Sequence, residues 1–187
     1  MSGLTPRVRS GPVASRTRSR LRLLPPGEGY MPYLWLVYMA WTFVYPAALG
    51  SLPMFIETTV AAAAFLVLYF RGYWVDGRAL WPILVGIAAI GAILGPINPI
   101  GVTYFVFAAS FAPYVGSTGL AWRIIVALIA ALLLETLLLH LGPYFWIPGV
   151  VFTALVGAAT VRSREMYRMN AELRAARDDV ERLAKVA

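Results

Sequence analysis

Apolar positions dominate residues 33–161, and the interruptions are short. Six stretches stand out: 33–49, 54–70, 79–95, 100–116, 122–141 and 144–161. Gly50-Ser51-Leu52-Pro53 separates the first pair and Arg71 to Arg78 the second. Pro96-Ile97-Asn98-Pro99, Gly116-Ser117-Thr118-Gly119 and Gly142-Pro143 mark the remaining breaks. Glycine and proline are the strongest local punctuation a chain has. A bilayer core of ~30 Å needs about 20 helical residues, and a stretch of about 17 still crosses it. The pattern predicts an all-α polytopic membrane protein with six transmembrane helices.

After residue 161 the period changes. With Met166 at heptad position a, the a and d positions are Met166, Met169, Leu173, Ala176, Val180, Leu183 and Ala187, all apolar. Their neighbours are mostly charged. This is a coiled-coil seam over three heptads. Glu172 at g and the following e residue, Arg177, would meet between the helices of a parallel dimer. An amphipathic helix lying on the membrane is the other reading, but its apolar face would be weak at Ala176 and Ala187. No Gly or Pro occurs between Gly157 and Ala187. The sixth transmembrane helix is therefore expected to continue through Arg162 and Arg164 into a cytoplasmic parallel coiled coil. Extending the register back puts Arg162 at d, which weakens the seam at the membrane boundary. The expected organisation is a disordered basic tail (1–29), a transmembrane sensor domain (30–161) and a signalling coil (162–187).

Composition supports the membrane class. Of the 187 residues 60% are hydrophobic and 13% charged, about half the charged share of a soluble domain. Mean hydropathy is +0.71. The net charge of +7 does not point to nucleic acid, because the basic residues are sorted by connection. Six arginines lie in the N-terminal tail, Arg71 and Arg78 in the second connection, and Arg123 in the fourth. The other seven basic residues follow the last span, so the first, third and fifth connections have none. The positive-inside rule then places both termini in the cytoplasm of a bacterial inner membrane. A cleaved signal peptide is a second reading of the basic start. The length of the first apolar run and the spans after it favour an uncleaved anchor. Tyr30, Tyr33, Trp35, Tyr69, Tyr73, Trp74, Trp81 and Trp122 form the expected inner aromatic belt, and Tyr45, Tyr144 and Trp146 the outer one.

Small residues mark close helix approaches. Gly91 and Gly95 form a GxxxG, and Gly149, Thr153 and Gly157 recur every fourth position. Packing within one chain is the simpler use, and a subunit interface the other. Aromatic stripes at Tyr104, Phe107, Phe111 and Tyr114, and at Tyr38, Trp41 and Tyr45, fit core or lipid-facing surface, with a ligand pocket as the alternative.

Ionisable groups inside a bilayer are expensive, by ~3 kcal/mol or more on insertion scales. Glu57, Glu135 and His140 all fall in the outer half of the expected topology. They are candidate sensing residues for protons, a cation or a small ligand. The simpler reading is a protonated Glu135 hydrogen-bonded to a neighbouring helix. No catalytic motif and no metal-ligand spacing appears, and there are no cysteines. Catalytic, cofactor-binding and metal-ligating residues are therefore expected to be none in this chain.

The stretch AELRAARDDVERLAKVA, residues 171–187, resembles the helix that precedes the phosphoacceptor histidine in DesK-type sensor histidine kinases. The resemblance implies a dimeric membrane sensor coupled to a kinase, with a response regulator as partner. It implies ATP and magnesium only for catalytic domains expected beyond Ala187. No phosphoacceptor or ATP-binding motif lies in these 187 residues, so no catalytic residue carries over. Members of that family are described with five spans, against six here. The expected stimulus is a bilayer property such as thickness, or an amphipathic compound. The alternatives are a small proton- or cation-coupled transporter or channel, and a membrane anchor for another dimeric output domain.

Overall fold

A computed structural model describes residues 31–186. The basic tail expected at 1–29, and Ala187 at the end of the seam, lie outside the described residues. Every regular element among the described residues is helical. These are α1 (Met31–Met39), α2 (Val44–Leu49), α3 (Leu52–Gly72), α4 (Trp81–Leu94), α5 (Thr103–Phe111), α6 (Thr118–Leu138) and α7 (Pro143–Val186), with short 3-10 turns between some of them. Four helical stretches are long and apolar enough to cross a membrane: Leu52–Gly72, Gly77–Leu94, Thr118–Leu138 and Pro143–Arg182. The first apolar stretch is shorter and is broken by a 3-10 turn at Ala40–Phe43.

The punctuation acts as its chemistry requires. Gly50 ends α2 with φ +61°, a left-handed conformation that needs no Cβ. Pro53 sits in the first turn of α3, where its missing N–H leaves no bond unmade. The fifth helix of the sequence pattern starts earlier than its apolar run. Ser117 caps α6 by accepting from Leu120 N at 3.3 Å, so the helix begins at Thr118 rather than 122.

The centre is α5. Every residue from Asn98 to Ala109 is buried, and α5 packs against α4, α6 and α7. From α3, Phe65 reaches Phe107 with ring centroids 4.7 Å apart, and Tyr69 reaches Phe111 at 5.7 Å. The aromatic stripe of α5 is thus core, apart from exposed Tyr114 at its end. Trp35, Trp74, Trp81 and Trp122 are exposed as a belt requires, while Tyr69 is buried and donates to Pro32 O at 2.9 Å.

The small residues serve packing within the chain. A methyl added to Gly91 would stand 3.0 Å from Gly101 O, and one on Gly101 would stand 2.9 Å from Gly91 O. The backbones of α4 and the turn before α5 therefore touch. Gly149 meets Val102 and Leu132, and Gly157 meets Ile125, which seats α7 on α5 and α6. Thr153, buried between those two glycines, returns its hydroxyl to Gly149 O at 2.7 Å. With no hydrophobic force between helices in lipid, such close van der Waals contact is the main cohesion available.

Candidate functional site

Two polar features occupy the end of the bundle away from the exposed tail of α7. The first is Asn98. Proline on both sides, at 96 within two residues and at 99, prevents a regular helix here. The turn was expected as an outer loop, yet its side chain is fully buried. Asn98 Nδ2 donates to Thr42 O at 2.8 Å and to Thr58 Oγ1 at 3.2 Å, and Oδ1 accepts from Ile100 N at 3.1 Å. One amide thereby joins the break in the first apolar stretch, the body of α3 and the turn that leads into α5. Irregular backbone is tolerated at membrane depth only when the protein itself satisfies it, as here. The Thr42 hydroxyl is spent on Met39 O at 2.7 Å. The buried Tyr104 hydroxyl lies beside it.

The second feature is Glu135. It lies one turn before the end of α6, and its carboxyl packs on Gly95, the residue that caps α4. A side chain built on Gly95 would overlap Glu135 Oε1. Gly95 therefore forms the notch that admits the carboxyl, a role beyond helix packing. Both carboxyl oxygens are buried, and neither has a hydrogen-bond partner. The simpler expectation, a hydrogen bond to a neighbouring helix, is not what the side chain makes. Glu135 stands at one end of an open groove of about 580 Å³ between α4 and α6. Alanines 88, 89, 92, 127 and 131 widen the groove, Phe105 of α5 lines it, and Arg123 with Trp81 borders it as well. Arg123 and Glu135 are twelve residues apart on α6, about 18 Å along a helix.

Glu57 and His140 do not join this site. Glu57 is exposed on α3. His140 is exposed with φ 52°, the left-handed residue that ends α6. Leu141 N donates back to Thr136 O at 3.0 Å behind it, as at a Schellman-type terminus. No hydrogen bond or ion pair links the three candidate sensing residues to one another.

At the opposite end, α7 leaves the bundle. Arg164 Nη1 donates to Pro113 O at 2.6 Å, and its guanidinium carbon stands 4.5 Å over the Tyr114 ring. This ties α7 to the carboxyl end of the α5 segment, where a cation suits the free carbonyls. Arg162, placed at a d position by the register, is exposed. Beyond Arg164 the helix is open: Met166, Met169, Leu173 and Val180 are all more than half exposed, and Ala176 is exposed too. The side chain of Leu183 lies outside the described set. Within the chain Arg177 pairs with Glu181 along the same helix at 3.2 Å, an exposed pair of small worth.

No protein-family model, curated protein or solved structure matches this chain. The site is therefore read from its own residues. Among the described residues there is no cluster of three or more His, Asp or Glu able to hold a metal ion. Glu135 and Arg164 were legible as polar groups in apolar or boundary positions. Asn98, Thr42 and Thr58 were not singled out. The available signal was an asparagine between two prolines, too polar for the run it interrupts.

Proposed function

We propose that this chain is the membrane sensor and transmitting region of a bacterial two-component histidine kinase. The observation that carries the reading is α7. It is one unbroken helix of 44 residues, about 66 Å long. Its first part is built into the bundle through Gly149, Thr153 and Gly157. Its second part projects with an apolar seam uncovered. In this reading the protein crosses the inner membrane six times with both termini in the cytoplasm. The seams of two copies pair as a parallel coiled coil. A stimulus felt by the bundle reaches a kinase as a rotation or tilt of α7. Arg164 is the fulcrum, since it holds α7 to the α5 segment at the exit point.

The test is a chimera. The phosphoacceptor and ATP-binding domains of a DesK-type kinase are joined in heptad register after Ala187 and reconstituted in bilayers of two thicknesses. Autophosphorylation is expected to differ between them, and to shift when two residues are inserted at the junction. Activity indifferent to both bilayer and register would overturn the reading. The unpartnered carboxyl of Glu135 also favours a second reading, a proton- or cation-coupled transporter. It requires flux in liposomes that disappears in Glu135→Gln.

A further inference from the structure

We infer that the groove between α4 and α6 binds a lipophilic cation: an amine or quaternary ammonium on a slender apolar body. The cation would sit at the Glu135 end of the groove, where the carboxyl turns from Gly95 to meet it, and the body would lie along the alanines.

Glu135 carries a buried carboxyl whose chemistry is unmet. Both its oxygens are buried and without a donor. Buried polar atoms in folded proteins almost always have a partner, and the exceptions call for an explanation. An ionised carboxylate in an apolar setting is stabilised most effectively by a cation. Among the described residues none is paired with it. The groove beside Glu135 is bordered by one cationic residue, Arg123, about 18 Å away along the helix. The fold has also spent a feature on keeping the carboxyl in place. Any side chain at position 95 would collide with it.

The shape sets the rest of the ligand. Alanines from both helices, Ala88 and Ala92 on α4 with Ala127 and Ala131 on α6, keep the groove open where longer side chains would close it. Its volume of about 580 Å³ is in the range of small-molecule sites. Arg123 at the other end disfavours a second positive charge, so a molecule with one cationic head fits best. An anionic lipid with its head on Arg123 is the competing occupant. It would leave the Glu135 oxygens as unsatisfied as before, and Arg123 is exposed and already able to meet water.

Binding is independent of whether the chain signals, so it is measured without a kinase. The full chain in phosphatidylcholine nanodiscs is titrated with radiolabelled decyltrimethylammonium, with empty nanodiscs as the partitioning control. A saturable component is expected. Glu135→Gln should weaken it at least tenfold, and Ala131→Leu, which fills the groove, should do the same. Decyl sulfate and decanol should not compete. Glu135→Asp, which keeps the charge, should retain measurable binding, and guards against loss of fold in the glutamine variant. Absence of a saturable component would overturn the proposal. So would binding that survives Glu135→Gln and Ala131→Leu. Competition by decyl sulfate that disappears in Arg123→Gln would give the groove to an anionic lipid instead. A failed chimera with successful binding would refute the sensor reading alone.

Discussion

Asn98 and Glu135 are both polar, both sunk in an apolar bundle, and both at the end away from the exposed tail. They have opposite fates. Asn98 makes three hydrogen bonds, two of them to separate pieces of chain and one within its own turn, whereas the carboxyl of Glu135 makes none. A satisfied buried amide rigidifies and specifies the fold. An unsatisfied buried carboxyl costs stability, and its persistence calls for an explanation. The difference separates architecture from function at one end of one molecule.

The comparison is broken most directly by stability. Asn98→Leu removes the joint and strands Thr42 O, Thr58 Oγ1 and Ile100 N. A loss of about 2–3 kcal/mol is expected, seen as a fall in the midpoint of thermal unfolding followed by tryptophan fluorescence. Asn98→Asp sharpens the assignment. It keeps the acceptor for Ile100 N but loses both Nδ2 donations, so most of the destabilisation should remain. If either variant unfolded like the parent, Asn98 would not be the joint.

Glu135→Met should move the other way. The side chain keeps its length, and the two orphaned oxygens disappear. A gain of about 1–2 kcal/mol is expected in the same unfolding assay without ligand, together with loss of cation binding. Opposite signs at 98 and 135 are the signature of the contrast. A destabilised Glu135→Met would mean that the carboxyl has a structural role.

Much of the architecture was legible in the sequence. Most glycine and proline breaks fall between helices or at their ends, as at Gly50 and Gly142, because their backbone limits act locally. The projecting part of α7 was legible because charge recurs on a fixed period. The centrality of α5 was not. A segment apolar on all sides looks alike whether lipid or protein surrounds it, and only contacts distinguish the two. The burial of Asn98 was missed for a related reason. Proline on either side signals a turn but gives no information about its depth. Gly95 was marked for helix packing, and its notch for Glu135 depends on α6 arriving from forty residues away.

Arg164 allows a test at the other end of the molecule. Arg164→Ala removes the hydrogen bond to Pro113 O and the contact over Tyr114, at a cost of about 1 kcal/mol. The chain has no cysteine, so a spin label at Ala171→Cys reports on α7 alone. Its mobility should rise in the alanine variant. Arg164→Lys should recover only part of the order, since an ammonium does not stack as a guanidinium does. Unchanged spectra in both would remove Arg164 as the fulcrum.

The smallest expected effect concerns His140. The sequence marked it as a sensing residue, whereas its backbone gives it a local duty. At φ 52° a side chain with a Cβ is disfavoured, and glycine is the residue that suits a helix terminus of this kind. His140→Gly is therefore expected to leave the stability unchanged or raise it by up to about 1 kcal/mol. His140→Val should lower it by a similar amount, because a β-branched residue resists the left-handed region. Cation binding at Glu135 should be the same in both variants. If His140→Gly weakened binding while preserving the midpoint, the imidazole would belong to the site after all, and the polar end would hold two working groups instead of one.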